Sequence, residues 1–142
     1  MLLLSPMHGR GFFVSSWDRF LALSTFDGLR KLDPEFVVQW TLDFRFSGLS
    51  QQDGGNGRPK VTVFDHPFLG PAEAEQTILH EMVHALGRWR HDRQFRTVLV
   101  DAVSEAYPTA NVSEAAAMRH RGAIHKFDLA LVRAIHGSRR SA

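Results

Sequence analysis

Thr77-Ile78-Leu79-His80-Glu81-Met82-Val83-His84-Ala85-Leu86-Gly87 holds the pattern His80-Glu81-x-x-His84. Residues four apart on an α-helix share one face, with Cβ atoms about 5–6 Å apart. Two imidazoles so spaced reach one Zn²⁺ at roughly 2.0–2.1 Å. Glu81 lies one residue on, about 100° around the helix. It therefore flanks the metal and is placed to take a proton from a metal-bound water. The surrounding residues supply the helix. Gly70-Pro71 opens it and Glu73 and Glu75 sit at its positive end. Ile78, Leu79, Met82, Val83 and Leu86 form an apolar stripe, and Gly87 is placed to end it.

A metal held by two histidines of one helix needs a further ligand from elsewhere. His91 follows the end of that helix, in Arg88-Trp89-Arg90-His91-Asp92, where the chain turns back. Asp92 is a helix cap, and the helix it opens runs to about Ala106 with Phe95, Val98, Leu99, Ala102, Val103 and Ala106 as its core face. His91 is the preferred third ligand, and Glu105 on the same later helix is the competitor. The spacing H-E-x-x-H-x-x-G-x-x-H would require a histidine where Arg90 stands, so that pattern fails. His66 reads as a loop residue without a metal role. Tyr107, the one tyrosine, is a weaker candidate for oxyanion stabilisation.

Outward from the motif, residues 36–47 alternate: Val38, Trp40, Leu42, Phe44 and Phe46 against polar neighbours, a strand with one buried face. Residues 47–59 read as a long Gly- and Gln-rich hairpin loop. Lys60–Phe64 is then a second strand, antiparallel to the first. Residues 1–15 read as irregular. A helix, or two short pieces divided at Gly28, is expected from about Trp17 to Leu32, ended by Asp33-Pro34. A last helix should span about Ser113 to His136, with Ile124, Phe127, Leu131 and Ile135 inward and a frayed basic tail over 137–142.

The chain has 142 residues, 44% hydrophobic and 23% charged, which suggests one soluble domain spanning 1–142. It has no cysteine. Disulfide frameworks and thiolate zinc sites are thereby excluded, and a cytoplasmic protein is expected. Met1-Leu2-Leu3-Leu4 is too short for a signal-peptide core, and no apolar run reaches membrane-spanning length. Charge is uneven: residues 1–87 carry 7 Lys+Arg against 10 Asp+Glu, net −3, and residues 88–142 carry 10 against 5, net +5. A basic half admits DNA contact as well as a solvated helical surface.

The segment His80-Glu81-Met82-Val83-His84, followed by His91-Asp92-Arg93-Gln94-Phe95, resembles the SprT-like zinc metallopeptidases. The resemblance covers about residues 60–100, and the WLM-type peptidases share part of it. It implies an α+β fold of minimal zincin type, with a small antiparallel sheet packed against the active-site helix and further helices. It implies Zn²⁺ on His80, His84 and His91, Glu81 as the catalytic base, and protein or peptide substrates. Family members include proteases that act on proteins crosslinked to DNA. The cysteine-bearing zinc ribbon of many members has no counterpart in this sequence.

Two functions follow from these readings. One is a zinc metalloendopeptidase that hydrolyses peptide bonds through a Glu81-activated, zinc-bound water. The other is a nucleic-acid-associated module whose metal site is structural or vestigial.

Overall fold

The computed structural model describes residues 8–42 and 47–141, and within these an α+β fold of six α-helices and one three-stranded sheet. In chain order the elements are α1 (Gly9–Leu21), a 3₁₀ turn (Ser24–Phe26), α2 (Asp27–Lys31), β1 (Glu35–Trp40), β2 (Gly48–Gln51) and β3 (Lys60–Asp65). Then come α3 (Pro71–Ala85), α4 (Arg93–Ala106), α5 (Ser113–Ala117) and α6 (Ile124–Ser141).

Helix α3 is the centre of the molecule. Pro71 stands at its first position, where the missing N–H costs nothing. Thirteen of its fifteen residues are buried, so it is not the one-sided amphipathic helix that the stripe suggests. A helix buried all round needs partners on every side. Helices α1, α4 and α6 and strands β2 and β3 provide them, with Ile78, Leu79, Met82 and Val83 at the contact. Its end is set by Gly87, whose φ of 105° is open to glycine and strained for other residues. The Gly87 N–H donates to the His84 carbonyl at 2.8 Å, and the chain then reverses towards α4. Asp92 caps α4 by accepting the Phe95 N–H at 3.0 Å.

The sheet corrects the expected topology. Its order is β1-β3-β2, with β1 parallel and β2 antiparallel to the central β3. The two strands expected to form an antiparallel pair are thus parallel, and the antiparallel partner lies inside the segment read as a loop. Gly48–Gln51 is short and has no β-branched residue, so it carries no local strand signal. Alternation over 36–42 marks an inward face only at its start, where Phe36 and Val38 pack half-buried against the core. Strand β1 ends at Trp40, and Trp40 and Leu42 are 53% and 60% exposed. Phe44 and Phe46 lie outside the described residues, as do residues 1–7 and 142.

Three helical expectations also change. The chain is helical from Gly9, within the stretch read as irregular. The break in the helix expected over Trp17–Leu32 falls after Leu21 and not at Gly28, giving α1, the 3₁₀ turn and α2, and the chain leaves α2 through Asp33 with φ 50°, a left-handed conformation aspartate tolerates. The last helix is split into α5 and α6 around Gly122 (φ 95°), and α6 continues through the segment read as a frayed tail. Among the described residues no helix is long and apolar enough to cross a membrane.

Candidate metal centre

Three imidazoles meet beside α3. His80 and His84 stand one turn apart on it, and the Gly87 turn brings His91 back over them. The His91 Nε2 lies 3.1 Å from the His80 Nε2 and 2.9 Å from the His84 Nε2. Metal–nitrogen bonds of roughly 2.0–2.1 Å in tetrahedral array place ligand nitrogens about 3.3 Å apart. His91 is already close to that spacing from both partners, the three donor atoms lie within 4.8 Å of one another, and the cluster could hold a metal ion. Phe95 is fully buried and packs against all three rings, with centroids 4.8, 4.6 and 5.0 Å away, as the floor of the cluster. Trp89 stacks on the His84 ring at 6.0 Å.

The outer ring nitrogens are fixed as well. His80 Nδ1 lies 2.9 Å from Asp128 Oδ1, and His84 Nδ1 lies 2.7 Å from the Arg88 carbonyl. Both partners are acceptors, so both Nδ1 atoms carry the proton and both Nε2 atoms face inward as lone pairs. A neutral His91 has at most one N–H to offer two such acceptors. The arrangement has more lone pairs than protons, which suits a cation. Gln76 donates to the same Asp128 Oδ1 at 2.7 Å and holds it in place.

Titration follows from this setting. Burial pushes His84 down to about 4, and burial with the neighbouring His80 lowers His91. Both are therefore neutral and able to bind metal at pH 7. His80 is different: burial disfavours its charged form, but the hydrogen bond and charge of Asp128, with Glu81, outweigh that and raise it. Glu81 is raised chiefly by burial, partly offset by His80 and by Ser50.

Glu81 faces β2. Its Oε1 is 2.9 Å from Ser50 Oγ, which is also 2.7 Å from the Glu81 carbonyl. Strand β2 approaches this closely because residue 48 has no side chain. A Cβ on Gly48 would stand 2.6 Å from Glu81 Cγ and 3.0 Å from Thr77 Cγ2.

The competing candidates lie elsewhere. Glu105 and Tyr107 stand at the far end of α4, whose fourteen residues span about 21 Å. The Glu105 carboxylate accepts the N–H and hydroxyl of both Ser24 and Thr25 at 2.7–3.0 Å, capping the second helical piece. These hydrogen bonds outweigh the effect of burial and hold its pKa down at about 2. The Tyr107 hydroxyl is 3.4 Å from Arg19, and its ring packs edge-on against Phe20. Neither residue joins the histidines. His66 accepts the Phe68 N–H through Nδ1 at 3.2 Å in a local turn.

Residue-by-residue reading missed Asp128, Gln76, Ser50 and Arg96. The Arg96 guanidinium is buried and donates to the carbonyls of His91, Met118, Arg121 and Gly122 at 2.8–3.1 Å. It ties the His91 turn to the chain just before α6, which carries Asp128. A carboxylate between the inward Phe127 and Leu131 was the one available sign of Asp128. Comparison with protein-family models, curated proteins and solved structures finds no match to this chain.

Proposed function

We propose that the protein is a zinc-dependent metallopeptidase of SprT-like type. The observation that carries this reading is the convergence of the Nε2 atoms of His80, His84 and His91, with a buried carboxylate, Glu81, next to His80 on α3. Three imidazoles, with His80 giving up its extra proton as the ion binds, are a zinc donor set that leaves a position for water, as catalytic rather than structural sites do. Zinc, when bound, polarises the scissile carbonyl and eases deprotonation of water.

The rest is the work of this chain's own residues. His80, His84 and His91 hold the ion. Asp128 and the Arg88 carbonyl fix the rings of His80 and His84. Glu81 takes the proton released as the water oxygen bonds to the carbonyl carbon, and delivers it to the amide nitrogen as the C–N bond breaks. Its raised pKa strengthens the carboxylate as a base. Ser50 holds the carboxylate towards β2.

Metal analysis and peptide hydrolysis test the proposal together. Wild type should carry about one zinc per chain, as should Glu105→Ala, and His91→Ala should not. Glu81→Gln should keep zinc and lose roughly 10²–10⁴-fold in hydrolysis, the usual contribution of a general base. Full activity in zinc-loaded Glu81→Gln would refute the assignment.

DNA contact has less support than the +5 charge suggests. Arg96 is committed to carbonyls, Arg133 to Glu114, Arg139 to Glu75 and Arg88 to Gln94. A nucleic-acid surface would fall to Arg90, Arg93, Arg121, Lys126 and Arg140. Its affinity should then decline steeply with salt, and duplex DNA titrated at two salt concentrations tests for that decline.

A further inference from the structure

A groove of about 640 Å³ opens between the first half of α3, the start of α6 and the loop before α3. Its walls include Phe68, Leu129 and Val132, and its inner end is Gln76, Thr77 and Asp128. Phe68 and Leu129 are 69% and 50% exposed, although both are large and apolar. Two such side chains lining one groove mark a binding surface more than a gap in packing.

The groove lies beside the metal centre and shares Asp128 with it. Thr77 precedes Glu81, and Gln76 precedes His80, by one helical turn, or about 6 Å of rise. Asp128 belongs to both, since its Oδ1 serves His80 and Gln76. An extended peptide advances about 3.3 Å per residue with side chains on alternate faces. At that spacing the groove lies within reach of a residue next to a scissile bond held at the histidines.

Chemistry selects that side chain. The polar groups nearest the metal are engaged with each other: Gln76 Nε2 and His80 Nδ1 both use Asp128. The His66 ring, also in the wall, accepts a backbone N–H. Ser47, Glu73, Thr77 and His125 add polar groups to the wall, but most of its surface is apolar and comes from Phe68, Leu69, Leu129 and Val132. We propose that it is a specificity subsite for a large apolar side chain, aliphatic or aromatic, on a residue next to the scissile bond. This rests on the metallopeptidase reading and adds the class of substrate.

Two dipeptide hydroxamates test it without requiring turnover, since the hydroxamate anchors on the metal. One carries Leu at the residue beside the hydroxamate and the other Gly. Each is titrated against zinc-loaded wild type, Leu129→Glu and Phe68→Ser, with thermal melting to establish that the variants fold. One well-placed apolar contact is worth roughly tenfold or more in discrimination. The Leu compound should bind wild type about tenfold tighter than the Gly compound, and the ratio should fall towards one in both variants. Equal affinities in wild type, or a preference undiminished in both variants, would overturn the subsite and leave the metal centre standing. Binding of neither compound to the zinc-loaded protein would overturn the subsite and, with it, the open metal position that the metallopeptidase reading requires. Discrimination between the two without hydrolysis of any peptide would sustain the subsite and overturn the peptidase activity alone.

Discussion

Asp128 offers the sharpest test of how the metal centre is built, because it touches the proposed ion only through His80. Its Oδ1 fixes the His80 ring at 2.9 Å, and its charge raises the basicity of that ring. In Asp128→Asn the side-chain oxygen can still accept the Nδ1 proton, so only the charge is lost. In Asp128→Ala both orientation and charge are lost, and Gln76 loses its partner. Outer partners of ligating histidines are typically worth 10–100-fold in metal affinity. We expect Asp128→Asn to weaken zinc binding about tenfold, or about 1.4 kcal/mol, and Asp128→Ala about 100-fold. The Ala variant should also lose about 1 kcal/mol of stability from the unpaired Gln76 amide. Zinc affinity is measured by competition with a chromophoric chelator at fixed pH and salt, and stability by denaturant unfolding without metal. Affinities of both variants within twofold of wild type would refute the claim that Asp128 organises the site. An Asn variant as weak as the Ala variant would show that charge, and not ring orientation, is what Asp128 contributes.

Four further outcomes follow from particular contacts. Gly48→Val should displace Glu81, since even a Cβ would stand 2.6 Å from its Cγ, so peptide hydrolysis should fall at least tenfold while zinc content, read by elemental analysis, stays near one per chain. Gly87→Ala must hold a φ of 105°, and denaturant unfolding should register a loss of about 1–2 kcal/mol together with weaker zinc binding as the His91 turn shifts. Zinc affinity should fall with acid: His80, raised above its ordinary value, is the first ligand to be protonated, His91 follows below its ordinary value, and His84 stays neutral to about pH 4, so affinity titrated against pH should lose about one power of ten per unit below the His80 pKa and steepen as His91 and then, near 4, His84 take protons. Glu105 has a folded pKa of about 2, below its ordinary 4.5, so its contribution is present above pH 4.5 and lost as pH falls towards 2; Glu105→Gln should cost about 1 kcal/mol at pH 7 after allowance for solvent screening and flatten that acid limb in a melting series.

The site was more legible in the sequence than the sheet was, and the reason lies in how far each signal reaches along the chain. His80, Glu81 and His84 are fixed relative to one another by helix geometry alone, and His91 is only seven residues further, through a turn that Gly87 and Asp92 both announce. Local rules therefore suffice to bring four groups together. Strand pairing obeys no such local rule. Alternation over 36–42 says that a strand exists, but β1 finds β3 as a parallel neighbour because β2 occupies the other edge. Gly48–Gln51 joins the sheet because its smallest residue can lie against Glu81, a reason visible only once α3 is in place. Asp128 is the same kind of case. It stands 44 residues beyond His84 and reads locally as a surface carboxylate at the edge of an apolar stripe. Only the crossing of α6 over α3 turns it into the partner of His80. The contacts that sequence reading missed are those made between elements distant in the chain. Three of them, Asp128, Ser50 and Gly48, converge on His80 and Glu81. A constellation that four nearby residues begin is thus held in shape by three that reach it only through the fold. Buried side chains such as His80 and Glu81 require hydrogen-bond partners in any role, so it is the Asp128 and Gly48 variants that decide whether these supports serve a metal site.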